Sequence, residues 1–343
     1  MIFVYILLGL VVFITMYLVV IIFLPILSVK QQPLNRVIGS VASIPDCREY
    51  VEYPVNGDTI RSWLYIPPDR KGPVPCIILC NGFGGTKDIV LEKYALGFVA
   101  EGFGALALEY RHFGESDGDP RQIFSFRKQE EDIRASIAYV RSEERFNPDQ
   151  IIIWGTSAGG VYGINMAAED HGIAGVIAQC TGLDHKKDSN LVMKREGISY
   201  LLRLIVHAQR DKGRGRFNLS EHTVPLVGKP GTLAMLIAPG AHEGYSGMVP
   251  ETSLFENKIC ARALLDTYHN DPVKNAPEVK SPALICVCEK DEIVAPDSHV
   301  RVAEILGEKV TVRKYPIGHF EIYRGHHFDK AFRDQIDFLK EIL

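Results

Sequence analysis

The chain has 343 residues, 46% of them hydrophobic and 23% charged, with 38 Lys and Arg against 42 Asp and Glu. A net charge of −4 excludes bulk basicity, and with it nucleic acid as the main partner. The composition is ordinary and free of repeats or low-complexity tracts, which excludes disorder and solenoid architectures.

The first element is set by what it lacks. Met1 to Leu24 carries no charged side chain, and at about 1.5 Å rise per residue it can cross a hydrocarbon core of roughly 30 Å. A cleaved signal peptide would show a basic start, a shorter apolar centre and small residues at the cut; here Pro25-Ile26-Leu27 offers no such site. A buried core helix is the other alternative, but no helical stripe stands out. The sequence therefore predicts a transmembrane anchor over residues 1–27 and a linker over 28–46, hinge-like from Gln31 to Pro45. Lys30 and Arg36 follow the anchor and weakly favour a cytoplasmic body. The seven cysteines lean the same way: Cys76, Cys80, Cys286 and Cys288 lie in apolar runs, as small core hydrophobes do. The sequon at Asn218 is too common to argue for the outside.

One domain is expected over residues 47–343. Arg48 to Val55 and Thr59 to Ile66 read as a hairpin around Asn56-Gly57-Asp58. Five apolar, β-branched runs follow: Cys76–Cys80, Ala105–Leu108, Ile151–Trp154, Gly175–Ala178 and Ala283–Cys288. Val310–Tyr315 alternates, as suits a strand nearer an edge. Helical patterns over Ser125–Arg141, Ala158–Glu169, Ser298–Leu306 and Phe328–Leu343 separate most of them. Such alternation means a parallel sheet covered on both faces. Residues 183–272 break the rhythm, being charged and loop-rich, and read as an insertion.

Ligands of such sheets bind at the carboxyl ends of the strands. The run ending at Trp154 is followed by Gly155-Thr156-Ser157-Ala158-Gly159, a G-x-S-x-G pattern whose small residues permit a strained turn that exposes a serine. Gly114-Glu115-Ser116-Asp117-Gly118 also fits, but its acids and the Asp119-Pro120 that follows cannot open a helix smoothly. Ser157 is thus the candidate nucleophile, against the plainer reading of a structural turn serine. A base and an orienting acid must accompany it. Among eleven histidines, His319 lies just past the last strand; His326 and His327 fall at the start of the last helix, His299 at another helix start, and His185, His207, His222 and His242 in the insertion. Asp291 follows the strand ending at Cys288, with Asp297 as rival and Glu289 as a lesser one. The oxyanion needs N–H donors: Ala158 after the nucleophile, and Phe83 in the turn Asn81-Gly82-Phe83-Gly84-Gly85-Thr86. A phosphate loop is the competing reading of that turn, but no G-K-[ST] follows and Lys87 stands where a third glycine would be needed.

The strand-Asn81-Gly82-Phe83-Gly84-Gly85 turn, the 155–159 elbow, Lys290-Asp291-Glu292-Ile293-Val294 and Gly318-His319-Phe320 together resemble the α/β-hydrolase superfamily from about Tyr50 to Leu343. Tyr110 to Gln122 is similar to a loop of dienelactone-hydrolase-like and fungal polyketide-transferase-like members, which makes the second G-x-S-x-G a structural loop at the site mouth. The chain departs from the pattern twice. Asn81 replaces the usual histidine before the oxyanion glycine, and Ser157 replaces the cysteine of a dienelactone hydrolase proper. The resemblance implies an α/β-hydrolase fold with a cap insertion, and a serine hydrolase cleaving a carboxylic ester through an acyl-enzyme. Acyl transfer with the same triad, peptidase action and a silent binding scaffold are the alternatives. No metal or organic cofactor is implied; the expected partners are a small ester or acyl substrate and, through the anchor, a membrane. Between His185 and His222 stand nine Lys or Arg and four acids, a solvated face or one that meets anionic headgroups or an anionic substrate. Ile198–Leu202 and Leu204–Val206 are expected to line an acyl pocket.

Overall fold

The computed structural model describes residues 1–37, 44–266 and 271–343. Parts of the expected linker (38–43) and of the insertion (267–270) lie outside the described residues.

The apolar start forms one helix, α1 (Ile2–Phe23), long and apolar enough to cross a membrane. Most of its length is exposed, and only its last turns touch the body, burying Ile21 and Ile22. The hairpin follows as β1 (Arg48–Val55) and β2 (Asp58–Tyr65), paired Val55 to Asp58. Asn56 and Gly57 take φ of 50° and 91° between them, the positive pair that matches the twist of the strands.

Alternation then takes over: β3 (Val74–Cys80), α2 (Leu91–Ala100), β4 (Gly104–Ala107), α3 (Phe126–Ser142), β5 (Phe146–Thr156), α4 (Ala158–Glu169) and β6 (Ile173–Gln179). Next comes the insertion, headed by two helices rather than loops, α5 (His185–Glu196) and α6 (Ile198–Arg216). The Asp184 side chain starts α5 by accepting from the amides of Lys186 and Lys187. A two-stranded ribbon, β7 (Thr223–Val224) with β8 (Ile259–Cys260), encloses α7 (Ala241–Ser246). The chain returns through α8 (Pro272–Asn275), β9 (Ala283–Cys288), α9 (Val300–Leu306), β10 (Val310–Tyr315) and α10 (Gly325–Ile342).

Eight strands make one sheet in the order β1-β2-β4-β3-β5-β6-β9-β10, antiparallel at β1, β2 and β4 and parallel from β4 onward. The apolar runs were legible because both faces are buried. Cys76, Ile78, Ile151 and Ile153 enter the core on one face, and Ile77, Leu79, Ile152 and Trp154 that on the other. Alternate side chains of one strand thus feed opposite layers. Outside the predicted helices lies α2, although Leu91, Tyr94, Ala95 and Phe98 are its buried stripe at helical spacing. β10 is an edge strand, as its alternation implied.

Gln32 and Arg36, in the described part of the expected linker, are tied to the insertion. The Arg36 guanidinium donates to the carbonyls of Ser253 and Phe255, and the Asn257 side-chain amide donates to Gln32 O at 2.5 Å.

Candidate active site

The elbow is built by crowding. A Cβ on Gly155 would lie 2.1 Å from the carbonyl oxygen of Gly159, and one on Gly159 would lie 2.2 Å from that of Cys80. Only glycine lets α4 start so close to the ends of β3 and β5. Ser157, at the turn, is held at φ 53° and ψ −125°, a strained conformation for a residue with a side chain, costing about 1–3 kcal/mol. Its amide donates to Gln179 O at 2.9 Å and its carbonyl accepts from the Gly160 amide, so the sheet over-determines the turn.

His319 and Asp291 come from the loops after β10 and β9. His319 Nδ1 lies 2.6 Å from Asp291 Oδ2, with both residues buried. The other oxygen, Oδ1, accepts from the amides of Ile293 and Val294 at 2.8 and 2.9 Å, which fixes the carboxylate plane. Burial alone would favour neutral imidazole, but the facing Asp291 carboxylate, with a smaller contribution from Cys180, outweighs it and His319 is pushed up to about 9. Ser157 and His319 line the same small pit with Tyr245, Met248 and Tyr323. Among the described residues the Ser157 hydroxyl has no hydrogen-bond partner. A hydroxyl left free in this way is available to pair with the imidazole once substrate is bound.

The turn after β3 is organised by Asn81, the departure noted in the sequence. Its side-chain NH2 donates to the carbonyls of Thr86 and Ile89 at 2.7 and 3.1 Å, and its oxygen accepts from the Gly82 amide at 2.8 Å. Gly82 packs so near the serine that a Cβ would meet Ser157 Cβ at 3.0 Å. Tyr245 Oη donates to Phe83 O at 2.8 Å, and the Phe83 ring packs on Phe124. The amides of Phe83 and Ala158 have no acceptor among the described residues. Two free donors beside one hydroxyl suit an oxyanion.

A second, open groove of about 420 Å³ reaches Ser157 from the insertion side. Phe83, Val161, Met235, Leu236, Leu264 and Ile293 are among its apolar walls; His185, Asp188 and Asp266 are among its polar groups. Asp188, pushed up to about 6 by burial, accepts from the Ala295 amide and the Ser298 hydroxyl. The expected acyl-pocket pieces are not among these walls. Tyr200 and Leu204 are buried inside the insertion against Met235 and Leu264, while Ile198 and Leu202 are exposed. On a helix one stripe must turn inward to hold the insertion together, so the apolar residues could not all face the groove.

The rivals fall away for identifiable reasons. Asp297 is a surface partner of Lys187 at 2.8 Å, and Glu289 is exposed. Ser116 is buried, donates to Glu109 O and accepts from the Arg61 amide. Its loop lines neither cavity, which corrects its expected place at the mouth. His299 and His242 are tied to the carbonyls of Pro296 and Pro33, and His207 is stacked on His222. His326 and His327 lie on the first turn of α10. Sequence reading missed Tyr245, Tyr323 and Asp188, and gave His185 no place in the groove. Tyr323 Oη lies 2.6 Å from Thr156 Oγ1 and 3.3 Å from Cys180 Sγ beneath the site. No local pattern marks these residues; only the fold brings them to one place.

Comparison with known proteins bears on the family and the fold. The profile of a family described as Serine aminopeptidase, S33, matches residues 71–215. The Quorum-quenching protein AidA of Acinetobacter baumannii is 36% identical over 89% of this chain and 98% of its own. The Polyketide transferase ATR5 of Stachybotrys chlorohalonatus is 27% identical over 86% of this chain and 98% of its own. Among solved structures, the alpha/beta hydrolase GrgF from a Penicillium species superposes with a TM-score of 0.70 at 23% identity, over 86% of this chain and 98% of that one.

Proposed function

The chain belongs to the α/β-hydrolase superfamily, and from that premise we propose that it cleaves carboxylic esters through an acyl-enzyme on Ser157. The observation that carries this reading is the convergence of the 2.6 Å Asp291–His319 pair and the strained Ser157 on one pit, with two unclaimed amides alongside. In the proposed cycle His319 Nε2 takes the serine proton as Oγ attacks the carbonyl carbon. The amides of Phe83 and Ala158 hold the oxyanion, worth about 3 kcal/mol per donor. The imidazolium then protonates the leaving alcohol, and water repeats the sequence to release the acid. Asp291 orients the ring and stabilises its charged form. Helix α1 is read as a membrane span.

Neutral imidazole is the working base, so the sign of its shift sets the pH profile. With His319 pushed up to about 9, most of the free enzyme is inactive imidazolium at neutral pH. We expect kcat/KM for an ester to rise about tenfold per pH unit below that value. Asp291→Asn removes the charge that raises it: the limb moves to lower pH while kcat falls about 10³–10⁴-fold. A limb that does not move in Asp291→Asn would count against the assignment.

The apolar walls of the groove set the acyl preference. Each buried methylene contributes about 0.8 kcal/mol, so kcat/KM for p-nitrophenyl esters should rise about three- to fourfold per carbon until the groove is full. Highest activity on the acetate would contradict this.

Transfer to an alcohol or amine in place of water is the second reading, supported by the fungal relatives named polyketide transferases. Product analysis with a competing nucleophile separates the two. The substrate is read as a small molecule, which a groove of about 420 Å³ can hold.

A further inference from the structure

The insertion's second helix carries a face that the hydrolase chemistry does not use. Ile198, Leu202, Ile205, Gln209, Lys212 and Arg216 recur at intervals of three or four residues on α6 and so share one side of it. Ile198 and Leu202 are 58% and 54% exposed, and Lys212 and Arg216 are exposed as well. The same helix grips the end of α1. Arg210 donates to the carbonyls of Ile21 and Leu24, and Arg214 to that of Ile22 at 3.0 Å. Two guanidinium groups thereby satisfy the orphan carbonyls of Ile21 and Ile22 and face the negative end of the α1 dipole. Tyr17 Oη donates to Gln209 Oε1 at 2.9 Å, and Phe23 packs on Phe217 with ring centroids 5.2 Å apart. Gly213 leaves the gap that Ile22 fills, since a Cβ there would lie 2.5 Å from it.

From this junction we infer that α6 lies on the membrane surface as an interfacial helix, its apolar end dipping among acyl chains and its basic end meeting anionic headgroups. The inference rests on the reading of α1 as a span, not on the ester chemistry. Three features carry it. First, α1 is 22 residues long, about 33 Å, so the bilayer surface falls close to the last turn, where Arg210 and Arg214 are docked. Second, the exposed face is continuous with that turn through Phe23, Leu24, Phe217 and Leu219, each 37–58% exposed; an apolar patch rimmed by cations fits a lipid surface. Third, the stretch His185–His222 has nine basic residues against four acids in a chain of net charge −4, and such an excess is attracted to anionic lipid. The inner face of α6 packs through Tyr200 and Leu204 on Met235 and Leu264, which line the catalytic groove. The groove is therefore one helix away from the bilayer, placed to receive acyl substrates that dissolve in it.

The test uses the full chain in vesicles of equal phosphatidylcholine and phosphatidylserine, with brominated lipid as a quencher of tryptophan. Leu202→Trp and Phe217→Trp report on the face. Glu144→Trp, exposed two residues past the end of α3, is the control, and the native Trp63 and Trp154 are buried. We expect quenching of the two reporters at least about twofold above the control, and reduced quenching at Leu202→Trp when Lys212→Glu and Arg216→Glu are added. Reporters no more quenched than the control, in protein that stays with the vesicles through a carbonate wash, would overturn the seated helix and leave the span standing. Protein released by the wash would overturn both.

Discussion

Ser157→Ala should abolish labelling by a fluorophosphonate and lower kcat/KM for a p-nitrophenyl ester by about 10⁴–10⁶-fold. The change removes only the nucleophilic oxygen. Its hydroxyl has no hydrogen-bond partner among the described residues, so the melting temperature should hardly move. Ser116→Ala is the internal contrast, since both serines stand in a G-x-S-x-G pattern. Ser116 bonds the Glu109 carbonyl at 2.7 Å and the Arg61 amide at 2.9 Å. Its loss should cost about 1–3 kcal/mol of stability and leave labelling intact. Labelling that survives Ser157→Ala, or disappears in a folded Ser116→Ala, would sink the proposed mechanism. Because the strained backbone at 157 is kept by alanine, the comparison separates chemistry from folding.

The second large effect concerns a charge buried behind the oxyanion turn. Lys87 is 2% exposed; its ammonium lies 2.7 Å from Glu109 and 2.6 Å from Glu115, and its amide donates to Glu109 as well. Burial pushes the Glu109 carboxyl up even with Lys87 facing it. Lys87→Met would leave that carboxylate in the core beside a second acid. We expect a loss of about 3–5 kcal/mol in denaturant unfolding, with most of it recovered in Lys87→Met/Glu109→Gln, where no net charge remains inside. A single variant within about 0.5 kcal/mol of the parent, the range of ordinary surface changes, would show that the pair is not held as described. The network ties the turn that carries Phe83 to the Glu109–Glu115 segment, so kcat should fall together with stability.

Much of this was legible in the sequence. Apolar runs announced the strands because a sheet covered on both sides demands hydrophobic residues on both faces, and the uncharged first 24 residues announced α1. Gly155 and Gly159 pointed to the elbow because the steric demand they meet lies within a few residues of the serine. His319 and Asp291 could be placed because each follows a recognisable strand. The segment read as a hinge did not reveal its contacts. Arg36 finds its carbonyl partners more than 200 positions away.

Periodicity and turn chemistry act between near neighbours, so the chain by itself determined the layers, the strained serine and the order of the three polar residues. Partnership across the fold was decided only in three dimensions: Asp291 over Asp297, the grip of Arg210 and Arg214 on α1, the burial of Lys87, and the residues that wall the groove. Those depend on which distant surfaces meet when the core excludes water, and no window of sequence contains both sides of such a contact.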